Sequence, residues 1–360
     1  MRRITTVLGV SVLVAASAYL LAWPVPIDPV SWVAPRNPGY NGAYAVNDRL
    51  SGAELLPIGD AHGPEDVALD GDGYIYAATH GGWIVRLDPD GTHPVNWVDT
   101  GGRPLGIDFD ASGRLLVADA FRGLLSIGRD AKVMVLADEA DGIPIRYADD
   151  VDVASDGKVY FSDASSRFAA AEWGGTYEAS LLDIMEHSRS GRLLVYDPES
   201  RRATTLLDQL SFANGVAVSS DETFVLVTET GEYRVIRYWL VGPRAGESET
   251  LLEELPGFPD NISRGLEGRF WVALISPRNR LLDKLSGAPW LRRVVQRLPG
   301  FLRPKAVAYG HLIAIDADGR IVENLQDPTG AYPFNTGVTE TPTHLYIGSL
   351  LAAEIGRLQK

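Results

Sequence analysis

Residues 147–166 read YADDVDVASDGKVYFSDASS. Two short runs with alternating apolar side chains, VDV and VYF, flank a turn centred on Gly157. That is the pattern of a half-buried strand, a tight turn and a returning strand. Working outward, the same unit recurs as VALDGDGYIYAAT from 67, IDFDASGRLLVADA from 107, VAVSSDETFVLVTET from 216 and NISRGLEGRFWVALI from 261. A degenerate sixth copy, VTETPTHLYIGSL, starts at 338. The turn positions are Gly73, Gly113, Gly157, Glu222, Gly268 and roughly Thr343, spaced by 40, 44, 65, 46 and about 75 residues. A unit of about 40–45 residues is the size of one four-stranded propeller blade.

The spacing predicts an all-β, six-bladed β-propeller with short helical insertions, spanning 51–360. Its two longest gaps place insertions near 166–190 and 276–303. Asp-Pro-Asp-Gly and Asp-Pro-Glu-Ser mark hairpin turns between outer strands. AELLPI at 53–58 is expected to pair with AEIGRL at 353–358 and close the ring. A two-domain sandwich is the plainer alternative.

Ahead of this domain, residues 1–24 carry Arg2 and Arg3 followed by 24 residues without a charge, up to Asp28. Such a run is expected to be an N-terminal transmembrane anchor, with the arginines cytoplasmic and the propeller extracytoplasmic. A signal segment cleaved near ASA at 16–18, giving a secreted protein, is the alternative. Prolines at 24, 26, 29, 35 and 38 make 25–50 an extended tether.

The 360 residues carry 33 basic and 47 acidic side chains, a formal charge of −14. That balance excludes a general nucleic-acid binder, which needs a positive surface to release counterions. Cys is absent, so disulfides, thiolate chemistry and cysteine zinc sites are excluded. No HExxH, GxSxG or GxGxxG pattern occurs in the propeller region.

Counting back eight residues from each landmark gives Glu65, Leu105, Asp149, Asn214 and Asp260, with Asn335 for the sixth unit. Equivalent positions of successive blades meet at one end of a central channel. Glu65, Asp149, Asn214 and Asp260 therefore form a candidate oxygen-only ring suited to Ca²⁺, which takes 6–8 oxygen ligands. Ordinary turn-capping by Asp and Asn is the competing reading. Asp66 and Asn261 flank the ring as candidates for orienting it or reaching a second metal. Among the histidines, His62 and His80 lie near blade loops, and His187 reads as a helix-end or surface residue. From 274 to 305 there are eight basic residues and one acidic residue, Asp283. This flap either packs on the propeller as a solvated cover or turns a basic amphipathic face to anionic lipid.

Taken together, GPEDVA at 63–68, GRPLGIDFDASGRLLVADAFRGL at 102–124, the stretch from 147, LLDQLSFANGVAVSSDETFVLVTET and LPGFPDNI make the chain resemble the strictosidine synthase-like and paraoxonase-related, gluconolactonase-like six-bladed propellers. The likeness covers about 50–358, and the anchor followed by PIDP is similar to membrane-associated members. It implies that Glu65, Asn214 and Asp260 are calcium ligands. Asp149 stands where that family usually has Asn, and Leu105 where paraoxonases carry a catalytic-type histidine. Glu340 falls near the region where strictosidine synthases place an active carboxylate.

The expectation is a calcium-dependent hydrolase of a lactone or carboxylic ester. Ca²⁺ in the channel would polarise the carbonyl, with Asp260, and second Glu65, assisting water attack. Leu105, Tyr147, Phe212 and Phe258 are candidate walls of the substrate pocket. The alternatives are a non-enzymatic, calcium-stabilised propeller that binds a protein partner, and an amine–aldehyde condensation of the strictosidine synthase type.

Overall fold

The computed structural model describes residues 2–360. Six four-stranded antiparallel sheets are arranged as blades around a central axis. Their innermost strands are Asp66–Leu69, Pro104–Phe109, Ala148–Val153, Ala213–Val218, Gly257–Arg264 and Asn335–Glu340. The repeat landmarks are the turns after these strands. Gly73, Gly113, Gly157 and Gly268 all have positive φ, and Glu222 adopts the same conformation at φ 55°. A residue without Cβ is favoured there because the left-handed region is strained for other side chains.

Blade 6 is built from both ends of the propeller. Glu54–Pro57 pairs with the C-terminal strand Glu354–Gln359, Leu56 opposite Ile355. Strand pairing alone closes the ring, as the absence of cysteine requires. Apolar side chains fill the spaces between adjacent blades; Leu56, Ile58, Val85 and Ile355, for example, lock blade 6 against blade 1.

Carboxylates stitch the inner strands together. Asp66 accepts N–H bonds from its own neighbour Val67 (2.8 Å) and from Ile107 of the next blade (2.9 Å). Asp150 does the same with Val151 and Val216, and Asp152 with Val153 and Val218.

The first insertion forms helix α2, Thr176–Glu186, and the second forms α3, Arg280–Leu285, and α4, Pro289–Gln296. At the N-terminus Arg2–Ala22 is helix α1. Among the described residues no helix is long and apolar enough to cross a membrane. The following segment is not a free tether. Its proline-rich backbone leaves carbonyls without ladder partners, and arginines of the second insertion cap them. Arg278 donates to the carbonyls of Pro35 and Arg36, Arg292 to Val30, and Arg297 to Trp23 and, in the last turn of α1, to Leu20. The basic run is thus partly internal, which an unpaired charge count does not reveal. His187, expected at a helix end or on the surface, caps α2 in a left-handed conformation. It is only 1% exposed, because Trp32 of the same segment stacks on its ring at 4.1 Å. Its ring nitrogens meet Ser211 and Glu232. Ser211 is fully buried, so this chain braces α2 and the segment above it.

Candidate functional site

Five of the six inner strands break register at one level. The interruptions fall between Pro104 and Ile107, Ala148 and Val151, Ala213 and Val216, Pro259 and Ile262, and Asn335 and Val338. A bulge re-aims the two residues inside it. In blades 3 and 5 the pair divides between the two ends of the channel. Asp149, Asn214 and Asp260 join Glu65 in lining one cavity, while Asp66, Asp150 and Asn261 line another. Gly215 is the second bulge residue of blade 4, where a Cβ would lie 2.1 Å from the backbone nitrogen of Ile262. In blade 6 the bulge holds Thr336 and Gly337, so Thr336 is the ring-level residue and Asn335 is not. Asn335 instead accepts from the N–H of His311 and donates to the carbonyl of Tyr332. The one-residue slip arises from the irregular turn of the sixth repeat.

The first cavity has a volume of about 120 Å³. Glu65, Asp149, Asn214 and Asp260 form its polar floor and are all at least 95% buried. Its walls include Leu105, Tyr147, Phe212 and Phe258, with Ile184 of α2 and Leu282 of α3 above. Tyr147 and Phe212 meet edge to face, and the Tyr147 hydroxyl donates to the Thr176 carbonyl at the start of α2. Pro304, Lys305 and Ala306 complete the lining from the second insertion.

Asn214 Nδ2 donates to Asp260 Oδ1 at 2.5 Å. Asn214 Oδ1 and Asp260 Oδ2 are buried without a partner. Burial, then the charges of Glu65 and Asp149, hold the Asp260 carboxyl well above the usual carboxylate range. Asp149 is raised in the same way, by burial and then by Glu65 and Asp150. Burial also raises Glu65, opposed by Arg103, whose Nη2 lies 2.9 Å from Glu65 Oε2. Among the described residues no three acidic or histidine side chains converge tightly enough to form a metal site as they stand. The donor chemistry nevertheless suits a hard divalent cation: oxygen only, three carboxylates, and two orphaned buried oxygens. Counting along the repeat found the floor residues but missed Arg103 and Thr336. Arg103 stands two residues before the apolar blade-2 position, outside the repeat offset.

Elsewhere, both side-chain polar atoms of Asn261 are buried without partners, and Asp66 is occupied by its two backbone bonds. His62 and His80 lie against each other, 5.1 Å apart, outside the cavity lining. Glu340 lines the second cavity and is fully engaged by Trp271, Arg269, Lys360 and the Leu266 N–H. Its carboxylate anchors the C-terminus, which leaves the condensation chemistry without that acid at the first cavity.

The strictosidine synthase family model matches residues 149–243, and the strictosidine synthase-like N-terminal model matches 42–87. Strictosidine synthase-like protein 4 of Arabidopsis thaliana is 35% identical over 323 residues, covering 87% of this chain and 84% of that protein. The human adipocyte plasma membrane-associated protein is 32% identical over 376 residues, covering 98% and 88%. Among solved structures, a gluconolactonase from Xanthomonas campestris superposes with TM-score 0.63 at 18% identity, covering 94% of this chain and 99% of that one. The calcium-binding protein regucalcin from Agrobacterium tumefaciens gives 0.58 at 13%, covering 85% and 93%. The last two establish the fold only. On the full-length relatives, the chain belongs to the strictosidine synthase-like family of six-bladed propellers.

Proposed function

We propose that the protein is a calcium-dependent hydrolase of a lactone or carboxylic ester. One observation carries this reading: an apolar cavity whose floor is an oxygen-only set with two unpartnered buried oxygens. Glu65, Asp149, Asn214 and Asp260 would hold the ion. When bound, Ca²⁺ supplies a Lewis acid for the substrate carbonyl.

The chain's own groups do the rest. Leu105, Phe212 and Phe258 exclude bulk water and seat the apolar part of the substrate. Asp260, on whichever carboxylate oxygen the ion leaves free, accepts the proton of the attacking water. The water oxygen bonds to the carbonyl carbon, the acyl C–O bond breaks, and the proton passes to the departing alkoxide. Glu65 is the second choice as base, because one of its oxygens is engaged by Arg103. A panel of lactones and aryl esters, assayed with Ca²⁺ and with chelator, tests the reading. Turnover that needs Ca²⁺ and is lost in folded Asp260→Asn supports it. Preserved calcium binding without turnover of any member replaces it with the calcium-stabilised binding propeller.

We also propose that the N-terminal segment holds the protein at a membrane, with the propeller on the extracytoplasmic side. Its support is the arginine pair before an uncharged run, and a helix with exposed Leu13, Val14 and Leu21. Retention of the full chain in membranes after alkaline extraction is expected. Release with a shortened N-terminus means cleavage and secretion instead.

A further inference from the structure

Blade 2 offers the ring no oxygen side chain, because its bulge holds Leu105 and Gly106. Arg103, two residues before Leu105, reaches Glu65 of the ring instead. It is 2% exposed. Its Nη2 meets Glu65 Oε2 at 2.9 Å, its Nη1 donates to the Pro104 carbonyl at 2.9 Å, and its Nε has no partner. Glu65 is its only acidic partner among the described residues. The backbone at this point is locked as well. Asp119, fully buried, accepts from the Arg103 N–H at 3.0 Å, from the Thr100 hydroxyl and from the Phe121 N–H. The guanidinium is therefore a fixed, buried charge paired to Glu65 of the cavity floor.

We propose that Arg103 is a fixed counter-ion that stands in for the missing blade-2 ligand and sets the charge of the ring to match a divalent ion. The inference rests on the calcium reading above. Among the buried charges, Glu65, Asp149 and Asp260 bring three negative and Arg103 one positive, so they total −3 + 1 = −2, while Lys305, which also lines the cavity, is exposed to solvent. In a buried site such a total is weakly screened, and it governs which ion is held. Without Arg103 the same oxygens present −3 and favour a trivalent ion.

The test measures affinities of the full chain for Ca²⁺ by calorimetry and for Tb³⁺ by luminescence, without any substrate. Arg103→Gln, which keeps hydrogen-bonding capacity, and Arg103→Met both remove the charge; if one fails to fold the other serves. At the dielectric constant of water, about 80, a unit charge about 6 Å from a divalent ion changes affinity about tenfold, and about thirtyfold for a trivalent ion. Neutral variants are thus expected to bind both ions more tightly, with preference shifted at least about threefold toward Tb³⁺. Arg103→Lys is expected to keep the wild-type ratio. Glu65→Gln is expected to shift it the opposite way, and Glu65→Gln with Arg103→Gln to restore it, since the total returns to −2.

A residue that merely braces its loop behaves differently. Neutral variants would then weaken both ions together, Lys would not rescue, and the double variant would not restore the ratio. That result overturns the proposal while leaving the calcium ring intact. A wild-type chain that binds neither ion removes the ring itself.

Discussion

Asp183 tests whether α2 is held on the propeller by an uncharged acid. It sits on the buried side of α2, fully inaccessible, with Oδ1 unpartnered and Oδ2 accepting from Ser165 at 2.6 Å. Burial, and then the nearby Glu186 charge, push its carboxyl up to about 7, against the pull of Ser165, Ser190 and Ser188. The folded pKa exceeds the unfolded value, so the protonated form favours the folded state. That stabilisation is fully present below the unfolded pKa of about 3.8 and is lost as pH rises through about 7. A shift of roughly three units corresponds to about 4 kcal/mol in all, of which roughly 2–3 kcal/mol falls between about pH 5 and pH 8. Asp183→Asn is uncharged at every pH and retains the acceptor for Ser165. Denaturant unfolding of both proteins at the two pH values reads the effect. The variant should gain on wild type by roughly 2–3 kcal/mol on going from about pH 5 to pH 8. Taking the difference between proteins cancels titrations they share, including the floor carboxylates. A pH-independent difference would refute the reasoning and mean that Asp183 is charged in the fold.

Ring closure by strand pairing predicts that Ile355→Ala, in a fully buried site between blades 6 and 1, costs about 2–5 kcal/mol in thermal or denaturant unfolding. A loss under about 1 kcal/mol would mean that blade 6 is not integral to the fold. Gly215→Ala should abolish soluble folded protein or lower its melting point sharply, because the new Cβ meets backbone rather than a movable side chain; wild-type melting would show that the channel can widen. The second insertion has exposed Trp290 and Phe301, at 60% and 78%, and carries Arg280, Lys284 and Lys305, which have no ion-pair partner among the described residues. A polarity-sensitive fluorophore on Phe301→Cys, the only thiol in that chain, should shift to the blue with phosphatidylserine vesicles. One on Glu199→Cys should not. Equal responses would mean that the second insertion does not face lipid.

The blade repeat was legible because every copy must make the same turn at the same depth in the barrel of strands. Gly73, Gly113, Gly157 and Gly268 report that demand directly, and Glu222 shows that spacing survives when the residue does not. The floor of the cavity was legible for the same reason: Asp149, Asn214 and Asp260 share a bulge, and a shared bulge is a shared offset in sequence. What escaped were features outside the repeat. Thr336 was displaced by one residue because the sixth turn is one residue shorter: Val338 pairs with Ile347, nine residues on, where Val151 pairs with Phe161, ten on. Arg103 precedes its bulge, and its partner Glu65 is 38 residues away. The basic flap illustrates the deeper difficulty. Eight cations in one stretch read as surface, yet Arg278, Arg292 and Arg297 are mostly buried. Their partners are backbone carbonyls of the proline-rich segment, and carbonyl groups have no letter in the sequence. Side-chain charge can be counted from residue types, but a carbonyl left free by proline becomes a binding partner only when the fold brings a donor to it. For the same reason the −2 total of the cavity floor emerges only once Arg103 and Glu65 are brought together, although each charge was already written in the chain.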